Sequence, residues 1–188
     1  ITREWAPQLG WLDLYDWTAV SAVNDQIQGL WFFNCGPIAG ASQPHRHLQL
    51  LPRQPFEPIC PRDAWFTDRL SSESQPLDSD LLNLSCVVAP LAASRMNANE
   101  MHRTYLELCR RAGVGQPTRD RLPCQPYNLL IGQRWMALIL RARDGVHGFS
   151  VNALGFAGYL LSTDESDRDW LVANGPDALL REVVQPIP

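Results

Sequence analysis

The sequence predicts an α+β domain in which a few helices flank an antiparallel sheet. Apolar and aromatic stretches with the composition of strands are separated by turns rich in glycine, proline and asparagine. Apolar residues recur at helical spacing near the start, the middle and the end of the chain. These segments do not alternate in a strand–helix–strand rhythm, so a parallel sheet is not expected.

Three helices are predicted. The first follows from apolar residues at near-helical spacing, namely Leu14, Trp17, Val20, Val23 and Ile27. Asp13 or Asp16 would cap its start. The second follows from residues that share one helical face, namely Met101, Tyr105 and Leu108. Gly113 is a suitable end for that helix. The third would begin at Pro176, bury Leu179, Leu180, Val183 and Val184, and end at Pro186.

The strands are predicted from shorter apolar runs. "GLWFFNCG" and "HRHLQLL" would form two antiparallel strands on either side of the turn "PIAGASQP". "YNLLIGQRWMALILR" indicates a hairpin with Gly132 near its turn. "LLNLSCVVAPL" fits either a buried strand or the start of a helix. Residues 61–80 are polar and rich in proline and serine, which favours a surface excursion.

Composition excludes several classes of function. The chain has 188 residues, enough for a single domain over 1–188, and 45% of them are hydrophobic. A net charge of −4 argues against binding to nucleic acid or to an anionic membrane. All 16 basic residues are arginine, so arginines, hydroxyls, amides or backbone N–H groups would have to bind any phosphate.

The termini and the cysteines indicate a cytoplasmic protein. The five cysteines are odd in number and form no CxxC pair, so we expect reduced, buried thiols and no zinc ribbon. No apolar run is long enough for a membrane span, and no signal-peptide pattern is present. The chain begins without Met, on "ITREW", and we expect an upstream part to be missing.

Two of the four histidines stand in "GASQPHRHLQLLP". On a strand, residues two apart share a face, so His45, His47 and Gln49 would project together, away from Leu48 and Leu50. A polar surface stripe and a metal site are both compatible with this pattern. A metal site lacks a third ligand in register, because the other two histidines lie in a predicted helix and a glycine-rich loop. No metal bound by the histidines is therefore expected.

The turn before the histidines favours an anion site. Gly40, Ala41 and Ser42 are small, which lets backbone N–H groups approach an anion, and Ser42 adds a hydroxyl donor. Asn34, at the end of the preceding strand, offers an amide donor. Donors beside an imidazole suit phosphoryl-type chemistry, in which histidine attacks phosphorus and the donors hold the equatorial oxygens.

The run "NCGPIAGASQPHRHLQLLP" resembles the catalytic segment of the diadenosine tetraphosphate phosphorylases (ATP adenylyltransferases), the HxHxQ branch of the histidine-triad superfamily. "SVNALGFAGYLL" resembles a second block of that family, and "GPDALLREVVQP" its closing helix. The resemblance implies a histidine-triad-like antiparallel sheet with flanking helices. It also implies reversible phosphorolysis of diadenosine tetraphosphate to ATP and ADP through a covalent adenylyl-histidine.

The resemblance assigns a role to each site residue. His47 would be the nucleophile, Gln49 would take the third position of the motif, and His45 would support the site. The expected contacts to the nucleotide phosphates are Asn34, Gly40, Ala41, Ser42, Gln43, Asn152, Gly155 and Gly158. Small-molecule dinucleoside polyphosphates, ATP, ADP and phosphate are the expected partners. A divalent cation, Mg²⁺ by its chemistry, would accompany the nucleotide rather than bind the protein.

Two alternatives remain open from the sequence. Where the family carries a lysine after the second glycine block, this chain has Ser162 and Thr163, which suits a catalytically impaired relative that binds adenine nucleotides. A hexose-1-phosphate uridylyltransferase-like enzyme shares the HxHxQ form but carries a CxxC zinc pair that is absent from this sequence. The sequence does not determine the oligomeric state.

Overall fold

The structure is a computed structural model that describes residues 1–54, 56–58, 60–70, 80–92 and 97–188. Its strands are β1 Gly29–Asn34, β2 Gln49–Pro52, β3 Cys86–Pro90, β4 Tyr127–Ile131 and β5 Trp135–Leu140, followed by β6 Gly145–Val146 and β7 Phe149–Ser150. The first five form one antiparallel sheet in the order β2-β1-β4-β5-β3, and β6 pairs with β7. The predicted α+β fold with an antiparallel sheet is confirmed.

Helices cover both faces of the sheet. They are α1 Leu14–Asn24, α2 Asp63–Asp68, α3 Leu81–Leu84, α4 Ala98–Arg111, α5 Ala153–Ala157, α6 Arg168–Asn174 and α7 Pro176–Glu182. On one face, α1 and α4 close a core in which the hydroxyls of Tyr105 and Tyr127 lie 2.8 Å apart. On the other face, α2, α3, α5 and α7 close a second core, where the ring of Phe66 stacks on that of Trp135. No helix of the described ranges is long and apolar enough to cross a membrane.

The predicted helices form, with small shifts at their ends. Asp13 caps α1 and exchanges reciprocal side-chain bonds with Asp16, so both candidate capping residues take part. The helix ends at Asn24, and Ile27, which the spacing included, lies beyond it. The second helix ends just before Gly113, whose φ of 68° suits glycine. In the third, the buried residues Val183 and Val184 follow the last helical turn.

Several strand predictions are corrected. The predicted "HRHLQLL" strand begins only at Gln49, because the backbone of His45 and Arg46 pairs with the N-terminal segment rather than with β1. "LLNLSCVVAPL" holds both of the elements considered, α3 and then β3. The polar stretch 61–80 contains α2, whose fully buried Phe66 makes this part of the segment core rather than a surface excursion. Residues 71–79 of that stretch lie outside the described residues.

Candidate active site

The histidine segment leads into β2, which begins only at Gln49. Arg46 is buried, and Leu48 and Leu50 pack against the core on the α1 side. Gln49 pairs with Phe32, whose side chain belongs to the opposite core. Strand parity therefore places Gln49 on the sheet face that carries α5, and the shared face of His45, His47 and Gln49 stays a prediction.

The His47 imidazole is held in one tautomer. Its Nδ1 atom lies 2.8 Å from the backbone carbonyl oxygen of His45. A carbonyl oxygen only accepts, so Nδ1 must carry the proton. Nε2 of the neutral ring is then left with its lone pair, which is the form a nucleophilic histidine needs.

The His45 ring is bonded to the N-terminal segment. Thr2 donates its hydroxyl proton to the carbonyl oxygen of Glu4 at 2.7 Å, so its oxygen accepts from Nε2 of His45 at 2.9 Å. The same Nε2 lies 3.2 Å from the Glu4 carbonyl oxygen. These bonds fix the position of the residue whose carbonyl orients His47, which agrees with a supporting role.

Arg46, between the two histidines, attaches the segment to helix α1. Its guanidinium donates to Asp16 at 3.0 Å and lies 3.7 Å from Asp13. Burial is the largest influence on the Asp16 carboxyl and raises its pKa, while Arg46 and the backbone N–H of Asp13 oppose the rise. The ion pair joins the capping box of α1 to the histidine segment.

Gln8, which the sequence analysis did not single out, lies between the histidine segment and β1. It is 2% exposed. Its Oε1 accepts from the N–H of His47 at 2.8 Å, and its Nε2 donates to the carbonyl oxygen of Asn34 at 2.9 Å. The amide therefore bridges the backbones of His47 and Asn34.

The turn between β1 and the histidines packs directly on the second sequence block. Gly40 has φ of 83°, and a Cβ there would lie 2.7 Å from the carbonyl oxygen of Val151 and 2.9 Å from Asn152. The Oδ1 atom of Asn34 accepts from the N–H of Ala153 at 2.9 Å. The structure thus brings together the two blocks that the sequence analysis singled out separately.

A buried polar network holds these two blocks in place. The amide of Asn128 donates to Oδ1 of Asn34 and to the carbonyl oxygen of Ala39, each at 2.8 Å. Arg141 donates to Oδ1 of Asn128 at 2.6 Å and to the carbonyl oxygen of Val151 at 2.8 Å. Arg141 is fully buried, and this burial lowers its pKa to about 10. The arginine that ends the apolar run "WMALILR" was a sequence signal for this network, and that signal was not used in the predictions.

The predicted phosphate-binding residues differ in the donors they have available. The N–H groups of Gly40 and Ala41 donate to the carbonyl oxygens of Pro37 and Gly36, respectively. Within the described ranges, the N–H groups of Ser42 and Gln43, the Ser42 hydroxyl and Nδ2 of Asn34 have no hydrogen-bond partner. These groups are available to an anion.

The second block uses most of its donors internally. Asn152 caps α5, accepting from the N–H of Leu154 at 2.9 Å. The N–H of Gly155 donates to the backbone carbonyl oxygen of Asn152, and the N–H of Gly158 donates to that of Gly155. A Cβ would collide with Val151 at the first of these glycines and with Pro61 at the second. Close packing explains both glycines, and their contact with phosphate stays a prediction.

Two cavities adjoin the site. One of about 300 Å³ lies between the N-terminal segment and the turn, lined by Trp5, Leu9, Pro37, Ser42 and Gln43 among others. The other, of about 430 Å³, lies on the α1 side, and its lining includes His47 and Trp31. Ser42 and Gln43 of the turn line the first cavity, whereas His47 lines the second.

The cysteines are all free, and four of them are buried. Burial raises the pKa of Cys35, Cys60, Cys86 and Cys109 to about 12, so these thiols stay protonated near neutral pH. A search of the described residues finds no cluster of three or more histidine, cysteine or carboxylate side chains that could hold a metal ion.

Comparison with known proteins identifies the family. The family model of the ATP adenylyltransferase C-terminal domain matches residues 80–186, more than half of the chain. The chain belongs to this family. The family model of the Ap4A phosphorylase N-terminal domain matches residues 1–62. Strands from both matched parts lie in the same sheet, since β1 and β2 come from the first and β3, β4 and β5 from the second. That 1–188 forms a single domain stays a prediction.

Two curated relatives come from Saccharomyces cerevisiae. Diadenosine 5',5'''-P1,P4-tetraphosphate phosphorylase 2 is 30% identical over 146 residues, covering 71% of this chain and 44% of the relative. Protein APA1 is 24% identical over 152 residues, covering 71% and 45%. The chain therefore spans less than half the length of these relatives.

Solved structures of yeast Ap4A phosphorylase Apa2 share the fold of this member of the ATP adenylyltransferase family. The complex of Apa2 with AMP superposes with a TM-score of 0.74 at 26% identity, covering 99% of this chain and 68% of that one. The complex with Ap4A gives the same TM-score at 24% identity, with the same coverage of both chains. The α+β architecture with an antiparallel sheet is thus shared with Apa2 over 99% of this chain.

Proposed function

We propose that this protein is a nucleotidyltransferase that phosphorolyses diadenosine tetraphosphate to ATP and ADP, reversibly, with His47 as the nucleophile. The observation that carries the proposal is the bond from Nδ1 of His47 to the His45 carbonyl oxygen, which leaves Nε2 free to attack. The family membership and the Apa2 structures in complex with Ap4A and with AMP support the substrate class.

The reaction would proceed in two displacements. Nε2 of His47 attacks the α-phosphorus, the bond to the bridging oxygen breaks, and ATP leaves while an adenylyl group remains on the ring. The ring becomes cationic, and the Nδ1–H bond to the His45 carbonyl stabilises that charge. An oxygen of inorganic phosphate then attacks the adenylyl phosphorus and breaks the P–N bond, giving ADP and neutral His47.

The unpartnered donors of the turn would hold the phosphate oxygens. Ser42 and Gln43 offer backbone N–H groups, and Asn34, at the end of β1, offers Nδ2. Gln49 is exposed at the start of β2, and its amide has no hydrogen-bond partner in the described part of the chain. A neutral amide there can donate to a leaving-group oxygen, which a carboxylate would repel.

We further propose that a divalent cation arrives with the polyphosphate, spreading its negative charge during the displacement. Chelation with EDTA should then abolish turnover, and added Mg²⁺ should restore it. Cytoplasmic location stays a prediction from the sequence.

The test incubates the purified protein with diadenosine tetraphosphate, with and without phosphate, and follows ATP, ADP and AMP. The proposal predicts equal amounts of ATP and ADP only when phosphate is present. AMP formed without phosphate would indicate a hydrolase, and nucleotide binding without any product would favour the catalytically impaired relative. Turnover of a UDP-hexose with a hexose 1-phosphate would favour the uridylyltransferase alternative.

A further inference from the structure

The side-chain amide of Gln8 occupies the place of a missing strand pair beside His47. The pairing of β1 with β2 reaches only Phe32 and Gln49. Continuing that register would set Asn34 opposite His47. At this position the Gln8 amide stands between the two backbones instead, accepting from the His47 N–H and donating to the Asn34 carbonyl oxygen.

The geometry fixes the spacing between the expected nucleophile and an expected phosphate ligand. Nε2 of Gln8 also donates to the carbonyl oxygen of His47 at 3.3 Å, so the amide bonds both backbone polar groups of that residue. The Gln8 backbone is itself anchored by its N–H, which donates to Pro44 at 2.9 Å. A side chain that is 2% exposed and bonded at both ends has little freedom to move.

We propose that Gln8 is a positioning residue for adenylyl transfer, holding His47 at the distance from Asn34 that in-line attack requires. This inference rests on the proposed function. Gln8 would act through the His47 backbone and would not touch the substrate. Its loss should therefore slow the chemical step more than it weakens substrate binding.

The first test compares Gln8→Ala with the unaltered protein. We expect kcat to fall about 10- to 100-fold with KM within about twofold, because a displacement of about 1 Å costs on that order. Gln185→Ala is the control, since it removes a side-chain amide that bonds Gln125 away from the site. A second control, Tyr105→Phe, removes buried hydroxyl bonds and accounts for any general loss of stability. Both controls should keep kcat within about twofold of the unaltered protein.

The second test uses Gln8→Glu, which keeps an acceptor for His47 but places a second acceptor against the Asn34 carbonyl. The ionised carboxylate would be repelled there, whereas the protonated carboxyl can donate as the amide does. The ratio of variant kcat to unaltered kcat should therefore rise as pH falls from about 8 to about 5.5, towards the range of a carboxyl with a raised pKa. A merely structural defect would leave this ratio flat.

The outcomes separate the two proposals. If the unaltered protein shows neither phosphorolysis nor exchange of label between ADP and phosphate, the proposed function fails. If the unaltered protein turns over and Gln8→Ala keeps its kcat, or the Gln8→Glu ratio does not change with pH, the positioning role of Gln8 is overturned.

Discussion

The Nδ1 atom of His47 donates to the backbone carbonyl oxygen of His45 at 2.8 Å, so the two histidines of the motif are coupled through a main-chain atom. The acceptor survives substitution of the His45 side chain, whereas the nucleophile does not survive substitution of His47. The two positions should therefore respond differently to alanine.

His47→Ala should abolish ATP formation from diadenosine tetraphosphate, and His45→Ala should weaken it less. The second variant keeps the carbonyl that orients His47 and loses only the ring bonds to Thr2 and Glu4. His102→Ala, in α4 and away from the site, is the control and should be fully active. Equal loss in both motif variants would contradict the backbone-mediated role of His45. Steady-state rates measure the difference.

Gly40→Ala should disrupt the turn more than a positive φ alone explains. Gly175 is the matched control, because it also has positive φ but nothing lies within 4 Å of a Cβ there. Each substitution should cost about 1–3 kcal/mol in backbone strain. Only Gly40→Ala also pushes against Val151 and Asn152, so it should be the less stable and lower phosphorolysis at least about tenfold. Equal melting temperatures and equal rates would refute this reading of the turn.

Arg141→Met should lower the free energy of unfolding by about 3–5 kcal/mol, since it leaves several buried acceptors without a donor. Those acceptors include Oδ1 of Asn128 and the carbonyl oxygens of Val151 and Val183. The control is Arg143→Met, at an exposed residue two positions further along the chain. It should change the free energy of unfolding by less than about 0.5 kcal/mol. Urea unfolding of both variants tests this, and a small effect at Arg141 would show that the network is dispensable.

One cysteine should react in the native protein. Cys124 is exposed, while burial raises the pKa of the other four thiols to about 12 and keeps them as unreactive thiols. Iodoacetamide at about pH 8 should therefore add a single adduct before unfolding and four more in denaturant. Cys124→Ser should leave the native protein unlabelled. Rapid native labelling of a second thiol, read by intact mass, would contradict the packing described around the buried cysteines.

Asp80 should contribute stability that disappears in acid. Hydrogen bonds from Arg181 at 2.6 and 2.9 Å are the main cause that lowers its pKa below the ordinary value of 3.8. A lowered folded pKa gives stabilisation that is present above the unfolded value and is lost as pH falls through the folded one. Asp80→Asn should cost about 1 kcal/mol at neutral pH, with a cost that shrinks below about pH 4. Urea unfolding across this pH range gives the measurement.

The control for this pH dependence is Asp164→Asn, at an exposed carboxylate. It should change stability little at any pH. A cost at Asp80 that is independent of pH would show that the ion pair with Arg181 does not stabilise the fold.

Local patterns were enough to predict most elements of the fold. Spacing located α1 and α4, and strand parity placed Gln49 on the opposite face from Leu50. The start of β2 was missed because His45 and Arg46 bond to the N-terminal segment, a long-range partner that no local pattern reveals. The burial of Phe66 was missed for the same reason, since it depends on stacking against Trp135, far along the chain.

The site was predictable in its motif residues but not in its supports. Gln8 precedes the histidines by more than thirty residues and has no motif of its own, so only the fold shows that its amide joins His47 to Asn34. Asn128 and Arg141 likewise act through contacts between strands. Gly155 and Gly158 pack closely against Val151 and Pro61, and their predicted contact with phosphate stays a prediction.

The central claim is tested most directly by looking for the covalent intermediate. The protein would be mixed with diadenosine tetraphosphate without phosphate, quenched, digested and mapped by mass spectrometry. The account predicts one adenylyl group on the peptide that contains His47, lost as ADP when phosphate is added before quenching. An unmodified His47 peptide, in a sample where ATP has nevertheless been released, would contradict it.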